Sequence, residues 1–149
     1  MKVVDLNILL YAINTDGPHH AAAKSWLERA LSGEETVGMP WVVILGFLRL
    51  STHPGVFPTP LEPAEAVAVV DSWLARPCVE TVAPGSGHWV LFRQLLLETG
   101  TAANLTTDVH LATLAMERGA ELHSTDTDFA RFAKLRWVNL LAGWERDRA

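Results

Sequence analysis

The apolar positions of the chain fall into short β-branched segments that alternate with longer stretches of helical spacing. Brief apolar strands are predicted at 2–5, 36–38, 79–82, 121–124 and 136–139. Residues recurring every three or four positions predict helices at 19–31, 41–50, 64–74, 86–98 and 106–118, with a turn or short helix at 6–13. Strands that alternate with helices are typical of a parallel sheet covered on both faces, so the predicted fold class is α/β with three layers, α/β/α.

Helix ends are predicted from proline, threonine and glycine. Pro40 suits the first position of the helix at 41–50. Thr106 or Thr107 is expected to cap the helix at 106–118, and Gly119 to end it.

The helix at 41–50 is apolar almost all round, from Trp41 to Leu48. A helix of that kind is predicted to be buried on every side. In a chain of this size, the pattern indicates either a homodimer face or a groove for a partner helix. The tryptophans at 26, 41, 73 and 89 lie in apolar helical patterns and are predicted to pack in the core.

Composition narrows the class of protein. The 149 residues predict a single domain, with order over about 1–143 and a polar tail at 144–149. The net charge of −5 argues against a protein that coats DNA, and leaves room for a site where a cation supplies positive charge. Cys78 is the single cysteine, which fits the cytoplasm. Asp5 interrupts the apolar start, so no secretory segment is expected. The longest apolar run, Trp41 to Leu48, is too short for a membrane span.

Three acidic positions, Asp5, Asp108 and Asp126, are predicted to meet at one edge of the sheet, with Asp128 close to the third. Asp5 ends the first strand, Asp126 and Asp128 follow the strand at 121–124, and Asp108 lies in the first turn of the helix before it. Ligands bind at the carboxyl ends of parallel strands. Two charges ~5 Å apart repel by roughly 3 kcal/mol at an effective dielectric constant of ~20, so such a group takes up a proton or a cation. Taken singly, each residue also reads as a turn former or cap; their joint placement indicates a site for Mg²⁺ or Mn²⁺.

Four blocks of sequence carry a family resemblance. They are VDLNILLYA at 4–12, WVVILGFLRLST at 41–52, NLTTDVHLATLA at 104–115, and 119–139 with STDTDFARFAKLRWVN. In this order they resemble a PIN-domain ribonuclease toxin of the VapC type, nearly from end to end. The resemblance implies a three-layer α/β/α fold, Mg²⁺-dependent cleavage of RNA (tRNA or another structured RNA), and a cognate VapB-like antitoxin that blocks the site.

The resemblance also implies residue roles. By position, Asp5, Asp108 and Asp126 match the family's metal-binding acids, and Asp128 matches an acid often found beside them. Asn7 matches the small polar residue two places after the first aspartate.

One position departs from the family pattern. Many PIN domains carry a glutamate in a motif like E-F-x-R, and this chain has Gly46 there, in the form GFLR that a subset of VapC-type toxins shares. Asp128 is the first candidate for the missing acid, and Asp16 is the weaker one. Arg49, one turn beyond Gly46, is either a phosphate partner or a surface arginine. Thr107 either caps its helix or touches the metal and its substrate.

A metal-dependent endoribonuclease acting as a toxin is therefore the leading prediction, and a catalytically weakened PIN-like module that binds RNA or protein is the alternative. A basic cluster at Arg131, Lys134 and Arg136 either tracks an RNA backbone, receives acidic residues of an antitoxin, or is a solvated surface. A phosphatase using Asp5 as nucleophile lacks the expected lysine near a later strand end. A dinucleotide site lacks the G-x-G-x-x-G motif after the first strand.

Overall fold

A computed structural model of the protein describes residues 1–142, so the predicted tail at 144–149 lies outside the described residues. The strands are β1 Lys2–Val4, β2 Val37–Pro40, β3 Val79–Val82, β4 Glu121–His123 and β5 Trp137–Val138. The helices are α1 Leu6–Ile13, α2 His20–Ser32, α3 Trp41–Ser51, α4 Pro63–Leu74, α5 His88–Thr99 and α6 Thr106–Glu117. Short 3₁₀ turns occupy Ala103–Leu105 and Thr127–Arg131. Over residues 1–142, none of the helices has the length and apolarity to cross a bilayer.

The five strands form one parallel sheet in the order β3-β2-β1-β4-β5. Right-handed crossovers place α1 to α4 on one face of this sheet and α5 with α6 on the other. The packing agrees, since α1 contacts α2 and α3, α3 contacts α4, and α5 contacts α6. The predicted three-layer α/β/α fold is confirmed.

The chain order reverses between β1 and β4. β1 pairs on one side with β2 and on the other with β4, with Val4 opposite His123. The connections leaving the carboxyl ends of β1 and β4 therefore diverge, and a crevice opens between them. α6 runs back along the sheet into β4, so its first turn lies at the same edge.

The hydrophobic core forms because helices cover the central strands on both faces of the sheet. Val3, Val4, Val37 and Leu122 have no exposed surface. Such continuous apolar strands occur where helices cover both faces of a parallel sheet. Burying each of these side chains contributes on the order of 2 kcal/mol, and together they fix the ends of the strands that carry the polar residues.

The prediction that α3 is buried on all sides is wrong. Trp41 is 49% exposed and Leu45 62% exposed, because α1, α4 and β2 cover only part of this helix. Trp89 on α5 is 65% exposed, whereas Trp26 and Trp73 lie in the core as predicted. Apolar character shows that a side chain gains from burial, but it does not specify that a neighbour from the same chain covers it.

Two predicted helix starts are also corrected. Pro40 is the last residue of β2 and the N-cap of α3, with extended backbone angles, so it does not occupy the first helical position, although α3 begins at Trp41 as predicted. Neither Thr106 nor Thr107 caps α6, because the 3₁₀ turn at Ala103–Leu105 runs directly into the helix and leaves no extended residue to act as the cap. Gly119 follows α6 with a φ of +57°, the left-handed conformation expected of a glycine that ends a helix.

Candidate active site

Asp5 is the first residue after β1 and the N-cap of α1. Its Oδ1 accepts a hydrogen bond of 2.6 Å from the backbone N–H of Leu6, and its Oδ2 accepts one of 2.7 Å from Ser124 Oγ. Only 8% of the residue is exposed. Both carboxylate oxygens are therefore already held by the protein, which fixes the orientation of the side chain.

Ser124 joins the ends of β1 and β4. Its hydroxyl donates to Asp5 and accepts from Asn7 Nδ2 at 3.1 Å and from the backbone N–H of Asp126 at 3.0 Å. Asn7 Oδ1 in turn accepts from the backbone N–H of Thr125 at 3.4 Å. Ser124 has no exposed surface, so its hydroxyl makes these bonds out of contact with solvent. Sequence reasoning did not include Ser124 among the site residues; the available signal was a small polar residue ending a buried strand just before Asp126.

Three carboxylates converge beside this network. Asp126 begins the turn Thr127–Arg131, and its Oδ1 accepts a hydrogen bond of 2.9 Å from the backbone N–H of Asp128. Asp108 enters from the first turn of α6. One oxygen from each of Asp108, Asp126 and Asp128 lies within 4.8 Å of the other two. This grouping shares two residues with the predicted metal set and includes Asp128 in place of Asp5.

A pocket of about 270 Å³ opens at this edge of the sheet. Its polar wall consists of Asp5, Asn7, Thr107, Asp108 and Asp126. Apolar side chains form the remainder: Leu6, Leu10, Val42, Val43 and Leu111. The three predicted aspartates thus share one cavity. Arg49 is exposed on α3 and lies outside the lining of this pocket.

Burial and neighbouring carboxylates raise the pKa values of Asp108 and Asp5. Burial, and then the charges of Asp126, Asp5 and Asp128, raise the pKa of Asp108 to about 6, against a smaller opposing effect of Arg131. Burial also raises the pKa of Asp5, although the hydrogen bonds from Ser124 and Leu6 favour its ionised form. Carboxylate oxygens this close together suit a hard divalent cation, which would relieve the repulsion. The residues present therefore fit a divalent metal ion.

The glycine at the position of the missing glutamate has a packing explanation. Gly46 is buried on α3, and a Cβ atom built on it would lie 2.7 Å from Leu6 Cδ2. Leu6 of α1 therefore fills the space that a longer side chain would enter. Any acid at this position would have to displace a side chain that lines the acidic pocket.

Comparison with known proteins agrees with this geometry. The sequence matches the PIN domain over residues 2–135, well over half of its length, so the chain belongs to the PIN-domain family. It is 47% identical over 137 residues to ribonuclease VapC37 of Mycobacterium tuberculosis, covering 92% of this chain and 95% of the relative. It is 43% identical over 141 residues to ribonuclease VapC33 of the same species, covering 95% and 99%. The chain is thus a VapC-type member of the family, and the resemblance seen in the sequence is confirmed.

Solved structures share the fold at low sequence identity. The toxin–antitoxin complex VapBC2 of Rickettsia felis, bound to a promoter DNA fragment, matches with a TM-score of 0.67 and 20% identity, covering 93% of this chain and 97% of that one. VapC20 of Mycobacterium tuberculosis, described as a sarcin-ricin loop cleaving toxin, matches with a TM-score of 0.66 and 16% identity, covering 89% and 95%. These likenesses establish the architecture.

Proposed function

We propose that this protein is a divalent-metal-dependent endoribonuclease that acts as the toxin of a toxin–antitoxin pair. The observation that carries the proposal is the convergence of Asp108, Asp126 and Asp128 beside the buried Asp5. The relatives named ribonuclease VapC support RNA as the substrate. Mg²⁺ is the expected ion, with Mn²⁺ as a substitute, because both prefer carboxylate oxygens.

Each polar residue has a role in this proposal. Asp108, Asp126 and Asp128 would hold the cation, and Asp5 adds negative charge while anchoring the network of Ser124 and Asn7. A bound divalent cation supplies Lewis-acid stabilisation of a phosphodiester and activates water for in-line attack. The apolar wall of the pocket lowers the local dielectric constant and so strengthens these electrostatic interactions.

Two further residues retain their sequence-based roles as proposals. Thr107 lines the pocket beside Asp108 and is available to contact substrate. Arg49 would reach only the part of an RNA that lies beyond the pocket, because its side chain is exposed outside the lining.

The test is RNA cleavage by the purified protein with and without millimolar Mg²⁺. We expect cleavage that chelation abolishes and that Asp126→Asn reduces by at least a hundredfold, since removing one stabilising charge from a catalytic site costs roughly 10²–10³ in rate. Asp71→Asn is the matched control, because Asp71 is an exposed acid on α4. Full activity in Asp126→Asn, or activity that survives chelation, would refute the assignment.

The toxin role adds a partner. Neighbours in structure are complexes of VapC with its antitoxin, which supports a VapB-like protein as the partner here. We expect expression of this chain to arrest growth, and co-expression of a cognate VapB-like antitoxin to relieve the arrest. Arrest that persists in Asp126→Asn would separate toxicity from the acidic site.

A homodimer, a single domain spanning 1–149 and a cytoplasmic location complete the proposal. The exposed Trp41 and Leu45 of α3 are the kind of apolar surface that a second copy or a partner helix covers. Light scattering of the purified protein measures whether it is a dimer.

Gly46 favours a second candidate, a PIN-like module that binds RNA or protein with weakened catalysis. The absence of a glutamate at this position leaves one carboxylate fewer than many PIN domains carry. This candidate predicts no effect of Mg²⁺ on the melting temperature. A working acidic site is instead stabilised by about 1.4 kcal/mol at a metal concentration ten times the dissociation constant.

A further inference from the structure

A second cavity lies next to the acidic site. Its volume is about 540 Å³, twice that of the acidic pocket. Leu91, Leu95, Met116 and Phe132 form its apolar floor. Its rim is polar and consists of Gln94, Glu98, Thr99, Arg131 and Lys134. A cavity of this size with an apolar floor and a few polar groups is typical of a binding site for one small molecule or group.

Arg131 connects this cavity to the acidic cluster. Its Nε donates to the backbone carbonyl of Asp128 at 3.2 Å, and its guanidinium approaches the Asp128 carboxylate at 3.5 Å. The same side chain lines the cavity. A substrate that extends from the carboxylates into the cavity therefore passes Arg131, and Lys134 lines the same cavity.

The charge of the cavity rim is opposite to that of the site beside it. The chain carries a net charge of −5, and four aspartates surround the proposed metal position. Phosphates next to the cleaved bond need cations outside that group. Arg131 and Lys134 provide two such cations on the rim, against the single acid Glu98.

The side chains that line the cavity favour a nucleotide over a protein helix as its ligand. The large exposed apolar side chains of α5 are Trp89, Val90 and Leu97, and none of them lines the cavity. An amphipathic helix would bury such side chains. The cavity instead combines an apolar floor with a cationic rim, which matches the flat base and charged phosphate of one unpaired nucleotide.

We propose that this cavity is a nucleotide subsite, which takes one unpaired base of the RNA substrate adjacent to the cleaved phosphodiester. Lys134 and Arg131 contact the phosphate of that nucleotide, and the floor of Leu91, Leu95, Met116 and Phe132 receives its base. This inference rests on the proposed ribonuclease function and specifies its substrate further: the RNA must be single-stranded at this position, because a base inside a duplex does not reach the floor.

The experiment measures binding of a fluorescent single-stranded RNA oligomer as a function of salt, with every variant made in the Asp126→Asn background so that the RNA stays intact. Lys134→Ala is expected to reduce the slope of log K against log salt by about 0.7, the change for one phosphate contact to a single strand. Arg93→Ala is the matched control, because Arg93 is exposed on α5 and does not line the cavity.

A second pair of variants tests the floor. Ala133 is exposed and lines the cavity, so Ala133→Trp fills it without disturbing the core. We expect binding to weaken by about tenfold, the effect of losing one stacked or buried base, while the salt slope stays as in the parent. Ala68→Trp, at an exposed position on α4, is the matched control and is expected to bind as the parent does.

The outcomes separate the two proposals. Parent protein with Mg²⁺ is assayed for cleavage of the same oligomer. If it cleaves and the variants at 133 and 134 bind like their controls, the subsite is overturned and the ribonuclease function stands. If these variants bind RNA like their controls but no longer bind the VapB-like antitoxin, the cavity is a protein-binding surface. The nucleotide subsite is overturned in this case too. A smaller salt slope in Lys134→Ala, together with weaker RNA binding in Ala133→Trp, supports the nucleotide subsite.

Discussion

Replacing Asp108 with asparagine should stabilise the metal-free protein. The pKa of this carboxyl is raised from 3.8 to about 6 by burial and by the neighbouring aspartates. At neutral pH the ionised side chain therefore opposes folding. A rise of this size corresponds to about 3 kcal/mol, and because the side chain is partly open to water we reduce the expected gain to about 1.5 kcal/mol. For a protein of this length, that is an increase in melting temperature of about 3–6 °C.

The pH dependence gives this prediction its sign. Between the unfolded pKa of 3.8 and the folded pKa of about 6, the folded protein binds more protons than the unfolded chain. Compared with Asp108→Asn, the parent is thus less destabilised at low pH. The full free-energy cost of the ionised Asp108 is reached only above about pH 6. The stability gained by Asp108→Asn should fall to roughly half at about pH 5, compared with about pH 7.5.

Differential scanning fluorimetry in a chelating buffer measures both effects. Adding millimolar Mg²⁺ should raise the melting temperature of the parent and leave that of Asp108→Asn unchanged. The difference in melting temperature between the two proteins should therefore shrink or change sign with metal. Asp71→Asn removes the same charge from an exposed site on α4 and should shift neither comparison. A melting temperature of Asp108→Asn that is at or below that of the parent at both pH values would refute the reasoning, because the carboxylates would then not repel one another.

The remaining predictions concern the groups that support the site. Ser124→Ala should destabilise the protein by about 2 kcal/mol in chemical denaturation, because it removes the hydroxyl that donates to Oδ2 of the buried Asp5 and accepts from Nδ2 of Asn7; an unchanged midpoint would contradict the network. Gly46→Glu should cost about 1–3 kcal/mol through its clash with Leu6, and combining it with Leu6→Ala should recover at least about 0.5 kcal/mol in a double-mutant cycle. Additive effects of the two substitutions would exclude the contact.

The elements of the fold could be predicted from the sequence because their causes are local. Within residues 1–142, alternation of short β-branched segments with helical spacing located the strands β1 to β5 and the helices α1 to α6 to within a few residues. The errors arose where a neighbour decides the outcome. Pro40 belongs to β2 because its backbone pairs with β3, and Trp41 is exposed because α3 is covered by too few elements. Neither fact is encoded within a window of a few residues.

Part of the candidate site could be predicted from the sequence, and part could not. Asp5, Asp108 and Asp126 could be placed in one pocket because each lies at the end of a strand or the start of a helix, and topology brings those ends together. The hydroxyl of Ser124 could not be placed, because its three partners come from two distant segments of the chain. Hydrogen-bond geometry of that kind is a property of the assembled sheet.

The structure also shows why four aspartates at one sheet edge need not be equivalent. Both oxygens of Asp5 are engaged by Leu6 and Ser124, so its charge is fixed in position before any ligand arrives. Asp108 and Asp126 extend into the same pocket from the other side of the crevice. Ser124, which donates to the buried Asp5, also accepts a hydrogen bond from the backbone N–H of Asp126. The position of Asp5 is therefore linked to that of the more accessible Asp126. The hydrogen bonds of Ser124 therefore hold Asp5 and Asp126 where their charges act on Asp108, and the same placement of Asp126 beside Asp108 suits a cation.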